Sequence, residues 1–264
     1  MELEERAKNV RRRIIEMVSK SKSSHVGAAL SIADIVAALY FSALRRTTVQ
    51  AQERDRFILS KGHACAALYA ALAEAGCISQ EELDGFYIDG GKLPGHATLS
   101  CGAGVEASTG SLGHGLPIAA GIALSARIDK KGFRTFALLG DGECDEGSVW
   151  EAAMFAGNAK LDNLIAIVDY NKLQAFGYTK EVLDLEPLAK KWEAFGWAAR
   201  EIDGHDLKAL DSALNSVPFE KGKPSVIIAH TTKGKGVSFM EGRIEWHYKS
   251  PDPEQRRRAL EELQ

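Results

Sequence analysis

The chain has 264 residues, 45% of them apolar and 26% charged, with 25 glycines. Those fractions belong to a folded protein and exclude intrinsic disorder, a collagen-like repeat and a disulfide-stapled miniprotein. A formal net charge of −3, from 33 basic and 36 acidic residues, gives no electrostatic reason to expect nucleic acid as a partner. The opening Met1-Glu2-Leu3-Glu4-Glu5-Arg6 lacks the basic-then-apolar layout of a signal peptide. Cysteines 65, 77, 101 and 144 show no C-x-x-C spacing, and the two features together predict a reducing, cytoplasmic setting.

In chain order, Leu3, Ala7, Val10, Ile14, Met17 and Val18 recur at helical spacing and predict an opening amphipathic helix. Residues 26–44 approach the length of a membrane span, but Asp34 in their middle would be costly in lipid. With Ser31 as its N-cap, this run predicts a helix beginning at Ile32 and buried in a protein core. Short apolar runs at 57–59, 135–139, 164–168, 198–202 and 225–229 predict strands. Helix-like stretches at 113–129, 146–159, 187–195 and 206–216 lie between or beside them, and the final PDPEQRRRALEELQ is helical in pattern. Strands unbroken by polar alternation suggest burial on both faces. The expected fold is therefore α/β: a parallel sheet covered by helices on both faces. No repeat, low-complexity tract or Pro/Ser-rich linker divides the chain, which predicts one domain over 1–264.

Glycines cluster at 90–115, 140–147 and 234–236. Long glycine-rich loops in a compact domain are usually functional, because their backbone must approach something closely. The sharpest local signal follows the strand ending in Leu138-Leu139, where Gly140-Asp141-Gly142 precedes a helix starting near Glu146. A carboxylate at the carboxyl end of a parallel strand, before a helix N-terminus, is where open α/β sheets bind phosphorylated ligands. The next strand ends in Asp169-Tyr170-Asn171, and the 28 residues between Gly142 and Asn171 suffice for one helix and one return strand. Adjacent parallel strands would bring Asp141 and Asn171 together. A carboxylate, an amide oxygen and a nearby backbone carbonyl make a hard-oxygen site suited to magnesium bridging a phosphate. No G-x-x-x-x-G-K-[ST] occurs, the glycines after Gly113-His114-Gly115 do not complete a dinucleotide fingerprint, and the histidines lack zinc-site spacing.

Five of the seven histidines, His25, His63, His96, His114 and His247, lie in glycine- or polar-flanked contexts. Histidine shuttles protons near neutral pH, so several of them near strand-end loops would make a pocket for hydroxyls and carbonyls.

The stretch from Gly140-Asp141-Gly142 to Asn171 looks like a thiamine-diphosphate motif, and almost the whole chain resembles transketolases. The pieces that carry the resemblance are His25-Val26-Gly27, Ser60-Lys61-Gly62-His63, Leu93-Pro94-Gly95-His96 and EASTGSLGHG at 106–115. Further on come GDGECDEGSVWEAA at 140–153, DYNKLQ at 169–174, EIDGHD at 201–206 and HTTKGKG at 230–236. The resemblance implies the thiamine-diphosphate-binding fold of the pyrophosphate-holding type. It implies that Asp141, Asn171 and the backbone oxygen of Leu173 hold Mg²⁺, with Gly142, Asn171 and His63 touching the diphosphate. Gly110, Ser111 and Leu112 would lie along the cofactor, with Ser31 and Lys233 lining its pocket. His25, His63, His96 and His247 would surround the reactive carbon and the donor sugar, His247 touching the cofactor as well. Glu146 would belong to an acidic link across a subunit interface. Two departures are that Val-Gly-Ala follows His25 where a proline is commoner, and Tyr-Lys-Ser follows His247 where many relatives have glycine.

Transketolases are far longer, continuing with a pyrimidine-binding domain, whose glutamate protonates the cofactor's aminopyrimidine, and a C-terminal domain. The resemblance thus implies the N-terminal subunit of a split transketolase, with a separate C-terminal subunit and a heterotetramer built on a dimer. The implied reaction transfers a two-carbon ketol unit from a ketose, or ketose phosphate, to an aldose counterpart, as in the pentose phosphate pathway. Two other readings stay open: the α-type subunit of a 2-oxo acid dehydrogenase, and a catalytically silent paralogue. The histidine motifs and LPGH argue against the first; the retained Asp141, Glu146 and Asn171 argue against the second.

Overall fold

The computed structural model describes residues 2–45, 53–102 and 104–264. Strands β1 (Arg56–Leu59), β2 (Thr135–Gly140), β3 (Leu164–Tyr170), β4 (Ala198–Asp203) and β5 (Ser225–His230) form one parallel sheet in the order β1-β2-β3-β5-β4. Every residue of β2 and β3 is buried because the two faces of the sheet feed two separate cores. Phe136, Leu138, Ile165, Ile167 and Ile227 face one core, whereas Ala137, Leu139, Ala166, Val168 and Ile228 face the other. This double burial is what removes the polar alternation from the sequence. It fails at the edge strand β4, where Glu201 and Arg200 are exposed.

One face carries α1 (Leu3–Ser21), α2 (Val26–Ser31), α3 (Ala33–Ala38), α4 (Cys65–Glu74), α10 (Leu207–Asn215) and α11 (Pro253–Glu262). The other carries α6 (Gly115–Ile128), α7 (Gly147–Asn158) and α9 (Leu188–Ala194), while the short α5 (Gln80–Asp84) and α8 (Thr179–Val182) sit in connections. Helix α1 buries Ala7, Val10, Ile14, Met17 and Val18, five of the six residues whose spacing predicts it. Each large aliphatic among them contributes roughly 1.5–3 kcal/mol of burial. Helix α11 begins with a capping box, Asp252 accepting from the Gln255 N–H while Gln255 accepts from the Asp252 N–H.

The apolar run 26–44 departs from its expected form. It is not one helix begun by Ser31 but α2, a break at Ile32, α3 and a single π-helical turn, Leu39–Ala43. Ser31 ends α2 and caps nothing, because its hydroxyl donates to Asp169 Oδ2 at 2.5 Å. Asp34 is buried as expected, and its charge is met by the Arg11 guanidinium and by His205. Among the described residues no helix is long and apolar enough to cross a membrane.

Candidate active site

Parallel pairing places the carboxyl ends of all five strands at one edge, where the pairing of Gly140 with Asp169 and of Tyr170 with His230 aligns the loops that follow. The loops after β1, β2, β3 and β5 border a cleft of about 430 Å³. Its lining includes His25, His63, His96, His247, Gly110, Leu112, Asp141, Gly142, Glu146, Asn171, Leu173 and Lys233. Two expected residues lie elsewhere. Ser31 is fully buried beneath the cleft on Asp169, and Ser111 is exposed outside its lining. His114 is exposed as well, its ring on the Leu112 carbonyl at 3.1 Å.

The four cleft histidines come from four separate segments, yet their rings converge. His25 lies 5.1 Å from His63, 6.0 Å from His96 and 5.0 Å from His247, centroid to centroid, and His63 lies 5.6 Å from His247. His25 reaches this position in a left-handed backbone conformation, φ 71°, with its N–H donating to the His247 carbonyl at 3.0 Å. Such backbone strain in a non-glycine residue persists where surrounding structure enforces it. Burial, with His96, Lys233 and Lys61 nearby, lowers His25 to about 4. Burial and Lys233 lower His247 to about 3, burial and Lys61 hold His63 well below its ordinary value, and burial lowers His96. All are neutral imidazoles at pH 7, able both to donate and to accept a proton.

The hard-oxygen residues line the same cleft. Asp141 Oδ1 accepts from the Gly142 N–H at 2.7 Å and Oδ2 from the Lys172 N–H at 2.5 Å. Asn171 Oδ1 accepts from the Leu173 N–H at 3.0 Å, while its amide donates to Asp169 Oδ2 at 2.8 Å. Burial and the neighbouring Asp169 push Asp141 up to about 6, so this carboxylate lacks a sufficient counter-cation. Carboxylate, amide oxygen and backbone carbonyl are also the donor chemistry that magnesium takes, so these residues fit such an ion. Among the described residues no group of three or more His, Cys, Asp or Glu is placed to hold a metal. The Leu173 carbonyl accepts from the Lys233 ammonium at 2.7 Å, and that ammonium lies 3.1 Å from His247 Nδ1. Burial and Lys61 lower Lys233 to about 8.

Three buried charges that lie within the quoted motifs but were given no role there organise the floor. Asp169 is fully buried and takes donors from Ser31, Lys61, Asn171 and Thr231, joining α2 to the ends of β1, β3 and β5. Burial alone would raise its carboxyl; the Lys61 ammonium holds it below the ordinary value. Glu143 accepts from the Ser60 hydroxyl, the Gly113 N–H at 2.9 Å and the Gly140 N–H at 3.1 Å, tying the 110–113 loop to two strand ends. The signal for Asp169 was present, a lone charge inside the apolar strand Leu164–Tyr170, and Lys61 stands two residues beyond the end of β1. Gly110 has to be glycine, since at φ 135° a Cβ would stand 2.8 Å from His96 Cδ2.

The chain's residues 3–257 match the family model described as "Transketolase, thiamine diphosphate binding domain". The chain is 43% identical over 263 residues to one of the subunits of the apulose-4-phosphate transketolase of Phocaeicola vulgatus, covering 99% of this chain and 93% of that one. It is 44% identical over 266 residues to the 6-deoxy-6-sulfo-D-fructose transketolase subunit SqwG of a Clostridium species, covering 100% and 97%. The fold matches transketolase from Leishmania mexicana with a TM-score of 0.92 at 31% identity, over 100% of this chain and 41% of that longer one. A parallel five-stranded sheet between helices, a strand-end cleft and this likeness along the whole chain agree: the chain belongs to the transketolase thiamine-diphosphate-binding domain family.

Proposed function

We propose that this chain is the cofactor-holding subunit of a two-chain transketolase, a single domain that transfers a two-carbon ketol unit from a ketose phosphate to an aldose phosphate together with a second polypeptide. The observation that carries the reading is the meeting, in one cleft, of four neutral imidazoles with the Asp141, Asn171 and Leu173 oxygens. Asp141, Asn171 and the Leu173 carbonyl would hold Mg²⁺, and Gly142, Asn171 and His63 would meet the diphosphate. Gly110 and Leu112 would lie along the cofactor. Thiamine diphosphate, when bound, supplies the electron sink that lets a ketose carbon–carbon bond break. His25, His63, His96 and His247 hold and pass protons on the sugar's hydroxyl and carbonyl oxygens, each starting neutral. The Lys61 ammonium is taken up by Asp169, so among the described residues Lys233 is the cleft cation left to face a phosphorylated ligand beside the metal.

Support for a second chain comes from relatives of nearly this length that are named as subunits. It comes also from the cleft mouth, where Phe176 is 85% exposed and Tyr178, Val182, Leu183 and Tyr248 are exposed beside it. An apolar rim of this kind fits burial against another polypeptide. Glu146 stands exposed at the start of α7, open to an acidic link across such an interface, within a heterotetramer built on a dimer. A cytoplasmic setting and sugar-phosphate exchange of the pentose phosphate kind complete the reading.

The test is calorimetric titration of the purified chain with thiamine diphosphate, with and without Mg²⁺, followed by a ketol-transfer assay alone and with a pyrimidine-domain chain. Magnesium-dependent binding with turnover on mixing supports the reading. No binding in either condition overturns the cofactor assignment, and full turnover by the chain alone overturns the two-chain assignment.

A further inference from the structure

We infer that His205, which lies outside the cleft, is a positioning residue: its ring holds the loop after β5 and thereby sets where the Lys233 ammonium stands in the cleft. The inference rests on the cofactor reading above for its consequence, but not for its geometry. His205 belongs to the EIDGHD stretch, no part of which lines the cleft. It sits in a turn pressed onto the end of β5, where the Gly204 N–H donates to the His230 carbonyl at 2.8 Å. A Cβ at Gly204 would lie 2.5 Å from Thr231 Cγ2, so a glycine is required for that approach. Asp203 Oδ1 accepts from the His205 N–H at 2.8 Å and fixes the turn from within.

The ring then bridges two groups of opposite demand. His205 Nε2 stands 2.8 Å from the Thr232 nitrogen, and Nδ1 stands 2.8 Å from Asp34 Oδ2. A backbone N–H can only donate, so Nε2 carries a lone pair and the ring proton sits on Nδ1, donated to Asp34. Asp34 is itself held by two N–H groups of Arg11, and Arg11 Nε donates to the Lys235 carbonyl at 3.2 Å. The network therefore grips the loop at Thr232 and at Lys235, on either side of Lys233. A third hold comes from the Gly234 N–H, which donates to the Gly27 carbonyl at 2.9 Å. Between these points Lys233 reaches the Leu173 carbonyl and His247.

The experiment compares His205→Leu, which removes both hydrogen bonds, with His205→Gln, which offers one donor and one acceptor. It uses the full chain. Amide hydrogen exchange is read at Thr232 and Gly234 without cofactor, and the Kd for thiamine diphosphate is read by calorimetry with Mg²⁺. Expected for the Leu variant is exchange about tenfold faster at both amides and a Kd raised about tenfold, the scale of one buried hydrogen bond left unmade. The Gln variant should return both readings most of the way to the parent. Faster exchange confined to Thr232 would show a missing bond without loop movement and would overturn the proposal. An unchanged Kd beside faster exchange at both amides, or a Gln variant no better than Leu, would do the same. Should the Leu variant not fold, His205→Asn, too short to span both partners, takes its place under the same criteria. If the parent itself binds no thiamine diphosphate, the proposed function fails, and exchange at Gly234 alone decides whether His205 positions the loop.

Discussion

Replacing Lys61 by methionine keeps most of the side chain's length and removes its charge, leaving the Asp169 carboxylate without a cationic partner in the floor of the cleft. Both partners are almost wholly buried, Lys61 at 2% exposure and Asp169 at 0%. Breaking such a pair by removing one member typically costs about 3–5 kcal/mol, because the remaining charge stays buried without compensation. Here Ser31, Asn171 and Thr231 still donate to the Asp169 carboxylate, which argues for the lower end, about 3 kcal/mol. For a chain of this size each kcal/mol moves the thermal midpoint by roughly 2–4 °C, so Lys61→Met should lower it by about 6–12 °C. Urea denaturation at pH 8 should show a lower midpoint at unchanged slope, as expected for a loss of stability without a change in exposed surface. Adding Asp169→Asn removes the stranded charge, so the double variant should be more stable than Lys61→Met alone. A Lys61→Met loss under about 1 kcal/mol, or single-variant effects that simply add in the double, would refute the buried-pair account.

Asp141→Asn should abolish the effect of Mg²⁺ on thiamine diphosphate binding and weaken that binding at least about tenfold by calorimetry. Its thermal midpoint without cofactor should not fall, since a carboxyl raised to about 6 is held ionised at pH 7 at some cost to the fold. A histidine held at about 3, as His247 is, binds fewer protons folded than unfolded below pH 6.5, so its contribution erodes stability as pH falls from 6.5 toward 3. His247→Gln should therefore gain on the parent in urea midpoint as pH is lowered from 7 to 4; a constant gap between the two would contradict this. Gly157→Ala should lower the midpoint strongly, because a Cβ there would lie 1.8 Å from the Phe195 carbonyl oxygen. Gly121→Ala, in helix α6 with nothing within 4 Å of its Cβ, should raise stability by about 0.5–1 kcal/mol, and equal effects at the two glycines would argue against the packing described.

Sequence alone determined the alternation of buried strands and amphipathic helices, because period and composition are local properties that each segment carries by itself. Strands predicted at 135–139 and 164–168 appear as Thr135–Gly140 and Leu164–Tyr170, and the added residues are those whose backbone continues the ladder toward the cleft. Asp141, Asn171 and the glycine loops were legible because strand-end placement is itself a sequence feature. What only the tertiary structure decided was which segments face one another. Four imidazoles from positions 25, 63, 96 and 247 meet because the turn before α2, the segment after β1 and two loops distant in sequence pack around one cleft. Ser31 looked like a helix cap because a hydroxyl just before Ile32 could accept from the first free N–H groups of a helix, but a buried carboxylate 138 positions away claims it. A lone polar group in an apolar run announces that it needs a partner, but not which one. Partner identity is set by the order in which parallel strands are laid side by side, and that order is a property of the packed chain.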